Sequence, residues 1–118
     1  GTAEAIARLA GPIRYFQQPN RGLAAARNSA IRRSQGALLA LLDSDDAWTN
    51  DKLARCVAYL QQHPECDVVY TPMATMNAAG ELMAGHDKVC KEGWILDELF
   101  EEICIHDPAA VFHRDVWE

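Results

Sequence analysis

Apolar and polar positions along this chain switch between helical and strand-like periods, and a set of elements follows. Ala3 to Ala10 carries Ile6 and Leu9 at helical spacing and is stopped by Gly11-Pro12, which predicts a short helix. Ile13-Arg14-Tyr15-Phe16, rich in β-branched and aromatic types, predicts a strand, and Pro19-Asn20-Arg21-Gly22 a turn. Leu23 to Ser34 places Ala26, Ala30 and Ile31 on one side, an alanine-rich helix expected to end near Gly36. Ala37 to Leu42 is a continuous apolar run between Gly36 and a group of acids, the pattern of a buried strand. Thr49 or Asn50 is expected to cap the next helix, whose inner stripe is Leu53, Cys56, Val57 and Leu60, with Pro64 beyond its end.

Asp67-Val68-Val69-Tyr70 predicts a second buried strand, and Asn77-Ala78-Ala79-Gly80 a hairpin turn inside a longer loop. Ile95, Leu96, Leu99, Phe100 and Ile103 recur at three and four residues and predict a further amphipathic helix. Pro108 to Phe112 predicts a last short strand. Helices alternating with short apolar strands argue for an α/β sandwich with a largely parallel sheet. A parallel sheet of about four strands is small, and its faces and edges need cover. The chain is therefore expected to be one partial domain over residues 1–118, completed by further chain or by a second copy joined at an uncovered sheet edge. Opening on Gly1 rather than Met agrees with an excised piece.

Composition narrows the class. A length of 118 residues suits one domain or part of one, and 49% hydrophobic with 24% charged residues is ordinary for a globular protein. A net charge of −6 argues against a nucleic-acid partner. The arginines nevertheless cluster: Arg14, Arg21, Arg27, Arg32 and Arg33 all precede the acidic run. That asymmetry places positive charge near a phosphate-bearing ligand, or it makes a solvated helix face. Cys56, Cys66, Cys90 and Cys104 are far apart and form no metal or redox pair; Cys56 and Cys104 fall on apolar helical positions as small core residues. A reducing cytoplasm is expected, with a peripheral place at the cytoplasmic membrane face also open. No apolar run is long enough to span a bilayer, and no signal peptide is evident.

The chemistry concentrates in Asp43-Ser44-Asp45-Asp46, where the apolar run ends. On a strand, residues two apart share a face, so Asp43 and Asp45 are expected to point the same way. Like charges that close repel, and a divalent cation removes the penalty. Hard carboxylate oxygens suit Mg²⁺ or Mn²⁺. The carboxyl edge of a sheet is also where open α/β folds bind ligands. A blander use is helix capping by Asp45 or Asp46. A calcium loop is excluded, because its sixth and twelfth positions are Trp48 and Ala54. His63, His86, His106 and His113 lack ligand spacing and are expected at the surface or rim. A second class of reading is a phosphatase-like hydrolase with Asp43 as nucleophile, disfavoured by Asp46 after the second acid and by the strand's distance from the start of the chain. A third is a non-catalytic fragment.

Asn20-Arg21-Gly22, then Ala26-Arg27-Asn28, Gly36, the apolar strand, Asp43-Ser44-Asp45-Asp46, Trp48 and Lys52-Leu53 occur in that order. The arrangement resembles the family 2 glycosyltransferases, closely from about Gly11 to Tyr70 and more loosely through Val111-Phe112-His113-Arg114. The resemblance implies a GT-A fold, a Rossmann-like three-layer sandwich with a mostly parallel sheet. It also implies a nucleotide-diphospho-sugar donor, Mn²⁺ or Mg²⁺, and transfer to an acceptor hydroxyl with inversion at the anomeric carbon. By position, Asp45 would coordinate the metal bridging the donor's diphosphate, while Asp43 would sit beside the ribose or complete the metal site. Asn20, Gly22, Arg27 and Asn28 would belong to the donor-binding wall. There Gly22 would let the backbone pass close to the nucleotide or turn sharply; an alternative role for Asn28 is to tie its helix to the strand edge. Trp48 is expected to pack at the sheet rim. The acceptor (a glycan, a lipid-linked sugar or a small molecule) is left open.

Two parts of the family pattern are not found. The opening strands ending in P-x-Y-N and D-D-G-S, and the E-D element carrying the base, have no match; Asp107, Asp115 and Glu118 sit outside any such motif. The piece by itself is expected to be inactive.

Overall fold

The last strand in the sequence is the middle strand of the sheet. β3 (Ala110–His113) lies between β1 (Leu38–Ala40) and β2 (Val68–Tyr70) and runs antiparallel to both. Val111 stands opposite Ala40 on one side and Val69 on the other, and is only 1% exposed. It packs with Cys56 and Leu60 of α3 (Lys52–Gln62), and Leu38, Ala40, Cys66 and Val69 close the cluster. Apolar residues from three strands and one helix thus bury a small core cluster among the described residues of this sheet, as helix-on-sheet layering requires. The basic end of β3 ties back to the approach to β1: the Arg114 backbone N–H donates to the Ala37 carbonyl (2.9 Å) and its Nε to that of Gly36 (2.8 Å).

The computed structural model describes residues 1–9, 11–83, 91–95, 97 and 105–117. The chain divides into two compact units, residues 1–35 and 36–118, and the sheet belongs to the second. Among the described residues every strand pairing is antiparallel, in place of the largely parallel sheet expected. β1 and β2, connected through α3, do run the same way, as strands joined by a helical crossover should. A strand from much later in the chain occupies the slot between them. Alternation along the sequence orders the elements but does not name spatial neighbours.

The first unit holds α1 (Thr2–Ala7) and α2 (Leu23–Arg33). α2 ends at Ser34, whose N–H reaches the carbonyls of Ala30 and Ile31 while its backbone turns extended, so no glycine cap is used. Ile31 is the buried residue of α2; Ala26 and Ala30 are exposed. The strand expected at Ile13–Phe16 does not form: the chain over 13–22 is irregular, with Ile13, Tyr15 and Phe16 exposed. A strand needs a ladder partner, and none of the described strands pairs with it. The Phe16 ring lies instead near two guanidiniums, Arg14 at 5.4 Å and Arg33 at 5.2 Å from its centroid.

α3 is turned one position from expectation. Lys52, Cys56 and Leu60 form its buried stripe, and Leu53 is 43% exposed. A lysine is passed over by any count of apolar residues, yet its methylene stem covers core surface as well as a leucine does. The N-cap is Asp51, not Thr49 or Asn50. The Thr49 side chain hydrogen-bonds the Asp51 carboxyl and, with the residue's own backbone N–H and with Arg55 at 3.6 Å, holds it below the usual carboxylate range. Asp51 is therefore ionised at neutral pH, where negative charge favours a helix N-terminus.

The hairpin at Asn77–Gly80 is present. Met76 bridges Leu82, the Asn77 Oδ1 accepts the N–H groups of Ala79 (2.9 Å) and Glu81 (3.0 Å), and Gly80 takes φ 81°, a conformation suited to glycine. His63 stacks on Tyr59 with centroids 4.2 Å apart and lies 3.1 Å from Glu65. The helix expected over 95–103 lies largely outside the described residues, as do His86, Cys90, Cys104 and Glu118. Among the described residues no helix is long and apolar enough to cross a membrane.

The rotated stripe has a direct test. Leu60→Ala removes a side chain 3% exposed and is expected to lower the unfolding free energy by about 2–5 kcal/mol, whereas Leu53→Ala should change it by about 0.5 kcal/mol or less. Urea unfolding of both variants measures the difference, and equal costs would restore Leu53 to the core.

Candidate functional site

The residues singled out from sequence fall into two groups, one on each unit: Asn20, Gly22, Arg27 and Asn28 in the first, Asp43 and Asp45 in the second. In the first, Asn20 folds the chain onto itself. Its Oδ1 accepts the Gly22 N–H at 2.9 Å, and the Gly22 carbonyl accepts the Ala26 N–H that begins α2. Gly22 adopts φ 85°, ψ 169°, a region essentially closed to residues with a Cβ. A Cβ placed there would meet nothing within 4 Å, so conformation and not crowding demands glycine. Of the two roles expected for Gly22, the sharp turn is the one its geometry displays. Arg27 and Asn28 follow on α2, both half-buried.

In the second unit β1 ends at Ala40, two residues before the expected limit of the strand. Asp43 to Asp46 form a tight turn in which the Asp46 N–H donates to the Asp43 carbonyl at 3.2 Å. Asp43 and Asp45 therefore do not share a face through strand alternation. A β-turn gathers the four residues instead, since its ends approach within about 7 Å. Asp43 is half-buried, while Ser44, Asp45 and Asp46 are exposed. Neither Asp45 nor Asp46 caps α3, because Asp51 does. The capping explanation for the acidic cluster is thereby removed.

A strut holds the far side of this turn. The Trp48 indole N–H donates to the carbonyl of Pro108, 60 residues away, at 2.7 Å. Pro108 belongs to the 3-10 turn Asp107–Ala109 that leads directly into β3. The acidic turn is thus fixed on one side by β1 pairing with β3 and on the other by Trp48. Lys52 completes the arrangement, its Nζ 4.7 Å from the Trp48 ring centroid. Lys52 is 7% exposed and its Nζ makes no hydrogen bond. A buried amine without an acceptor costs about 1–3 kcal/mol, and a desolvated cation over indole returns up to about 2 kcal/mol. The sequence reading missed both the lysine's burial and the Pro108 contact. The four-residue spacing of Trp48, Lys52, Cys56 and Leu60 was the available signal.

Among the described residues no group of three His, Cys, Asp or Glu side chains converges as a metal cage. Accessible carboxylates in a turn match a different pattern, that of a hard cation shared between one or two carboxylates and the phosphates of a ligand. His106 and Asp107, adjacent before β3, are both exposed.

Comparison with known proteins agrees with this ordering of motifs. The profile of glycosyl transferase family 2 matches residues 1–116, nearly the whole chain. The chain is 30% identical over 100 residues to TuaG of Bacillus subtilis (strain 168), which carries the name of a teichuronic acid biosynthesis glycosyltransferase; the match covers 85% of this chain and 32% of that protein. It is 33% identical over 86 residues to a chondroitin synthase of Pasteurella multocida (strain Pm70), covering 70% of this chain and 9% of that protein. The same identity and coverage hold for a hyaluronan synthase of Pasteurella multocida. No solved structure matches. The chain belongs to glycosyl transferase family 2, which implies a GT-A-like α/β fold. It spans about a third of the length of TuaG and about a tenth of the length of the two synthases.

The strut and the lysine make opposite predictions. Trp48→Phe keeps an aromatic ring but shrinks it and removes the N–H donor to the Pro108 carbonyl, and should cost about 1 kcal/mol or more of stability. Lys52→Met keeps the stem and removes an unpaired buried amine, and should leave stability unchanged or raise it. Denaturant melts of the two variants would separate them; a marked loss with Lys52→Met would mean that the charge itself holds the fold.

Proposed function

We propose that this chain is the central part of the donor-binding domain of a glycosyltransferase. The parent enzyme transfers a sugar from a nucleotide-diphospho-sugar to an acceptor hydroxyl with inversion. The observation carrying the reading is the exposed turn Asp43–Asp46, fixed by β1 and by the Trp48 strut, in a chain of this family. Relatives named for teichuronic acid, chondroitin and hyaluronan synthesis support a glycan acceptor, though a lipid-linked or small-molecule acceptor fits the same site.

In this reading Asp45 and Asp43 would hold Mn²⁺ or Mg²⁺, which would supply positive charge against the negative charge of the diphosphate leaving group. Asp45 is the exposed ligand, and Asp43, half-buried, completes the metal site or sits beside the ribose. Asp46 closes the turn through its backbone N–H. Asn20 and Gly22 set the loop that begins α2, and Arg27 with Asn28 forms part of the wall facing the nucleotide. The acceptor hydroxyl needs a carboxylate to take its proton during attack. Asp107 and Asp115 are exposed and stand outside the matching motif, so no residue of this chain is assigned that role. The family match leaves nothing to favour a phosphatase-like use of Asp43. Self-association through an outer edge of the sheet, at β1 or β2, is part of the same proposal.

Calorimetric titration of Mn²⁺ with UDP, and then GDP, tests the donor site. Heat is expected only when metal and nucleotide are both present, and Asp45→Asn should weaken binding at least tenfold, about 1.4 kcal/mol. A flat titration with every nucleotide would leave the inert-fragment reading standing. Sugar transfer by the 118-residue chain alone is expected to be negligible. Metal-dependent turnover that vanishes in Asp45→Ala would show the piece to be sufficient.

A further inference from the structure

The chain is acidic overall, yet it contains no Asp or Glu between Glu4 and Asp43 and carries Arg8, Arg14, Arg21, Arg27, Arg32 and Arg33 in that stretch. Part of this charge gathers in one place. Within the first unit, Gln18, Pro19, Arg21, Ala25, Ser29, Arg32 and Arg33 line a cleft of 340 Å³ between the loop before α2 and one face of that helix. Ala25, Ser29, Arg32 and Arg33 repeat at helical spacing, and Arg21 closes the cleft from the loop.

Arg33 is held in position rather than left to wander. Its Nη1 donates to the Ser29 carbonyl at 3.1 Å and also contacts the Ser29 hydroxyl. The Phe16 ring lies 5.2 Å from its guanidinium carbon, and Arg14 flanks the same ring while its Nη1 donates to the Arg33 carbonyl at 2.8 Å. Helix polarity explains basic residues in the last turn of α2, where Arg32 and Arg33 lie. It does not explain Arg21, which stands before the first turn, nor the bracing of Arg33. Guanidiniums that line one cleft repel one another, and an oxyanion between them reverses the sign. A planar fork of donors matches phosphate oxygens in particular.

We infer that this cleft is a phosphate-binding site, with Arg21 and Arg33 as its principal donors and Arg32, Ser29 and Gln18 at its walls. It takes the phosphate of an anionic lipid headgroup or of a small phosphorylated solute. The site is independent of Asp43 and Asp45 and of any metal, so it stands or falls apart from the proposed glycosyl transfer.

The test uses the whole chain in the presence of EDTA, which silences metal-dependent nucleotide binding. One arm titrates inorganic phosphate, following the amides of residues 18–33 by NMR. The other measures co-sedimentation with phosphatidylcholine vesicles, with and without phosphatidylglycerol. Binding is expected in at least one arm, weakening steeply with salt, and falling about fivefold for each of Arg21→Gln and Arg33→Gln. Phosphate binding without vesicle binding identifies a soluble ligand; vesicle binding that requires phosphatidylglycerol identifies the headgroup. Arg21 is exposed and makes no described hydrogen bond, so Arg21→Glu keeps the test valid if Arg33→Gln fails to fold. Binding in neither arm, or binding equally strong in Arg21→Glu, overturns the inference.

Discussion

The insertion of β3 between β1 and β2 is the constraint on which the acidic turn depends. Without β3 the two outer strands share no backbone hydrogen bonds, and Val111 leaves the space it fills between Ala40, Val69, Cys56 and Leu60. The segment entering β3 supplies the Pro108 carbonyl to Trp48, and the segment leaving it supplies Arg114 to Gly36 and Ala37. One strand of four residues therefore fixes both ends of the stretch that carries Asp43, Asp45 and Asp46. A sheet this narrow has little core to spare, and removing one large side chain from it is felt throughout.

Lys52 illustrates how a polar side chain is accommodated at such a place. Its stem completes the buried stripe of α3, and its nitrogen rests on the indole that is itself tied to Pro108. An unpaired amine within the fold is a cost that an apolar residue would not carry. It also places an amine six residues after the last aspartate of the turn. Asp51 adds the opposite charge at the start of the same helix, kept ionised by Thr49 and Arg55.

Charge in this protein is segregated along the chain, with arginines gathered in the first unit and carboxylates in the second. That division suits a protein handling phosphorylated ligands, because phosphate groups are met either by guanidiniums directly or by carboxylates through a cation. The inferred cleft of Arg21 and Arg33 would use the first arrangement, and the proposed metal site at Asp43–Asp46 the second.

Much of this was legible from local chemistry. Leu23 to Ser34 reads as a helix because alanines and arginines favour it. Asn77-Ala78-Ala79-Gly80 reads as a turn because asparagine bonds its own backbone and glycine accepts positive φ. The order of N-R-G, A-R-N and D-S-D-D motifs was enough to point to the family. What local chemistry could not supply was partnership. Ile13–Phe16 has strand composition but finds no ladder among the described strands. Leu53 looks like core and Lys52 like surface, and packing against Trp48 reverses them. The sequence by itself determined α2, α3, the Asn77–Gly80 turn and the apolar runs that become β1, β2 and β3, since those choices rest on contacts within a few residues. Tertiary structure alone decided that β3 lies between β1 and β2, that the acids sit in a turn, and which side of α3 faces inward. Those outcomes depend on contacts between residues tens of positions apart, whose pairing is set by what closes the core.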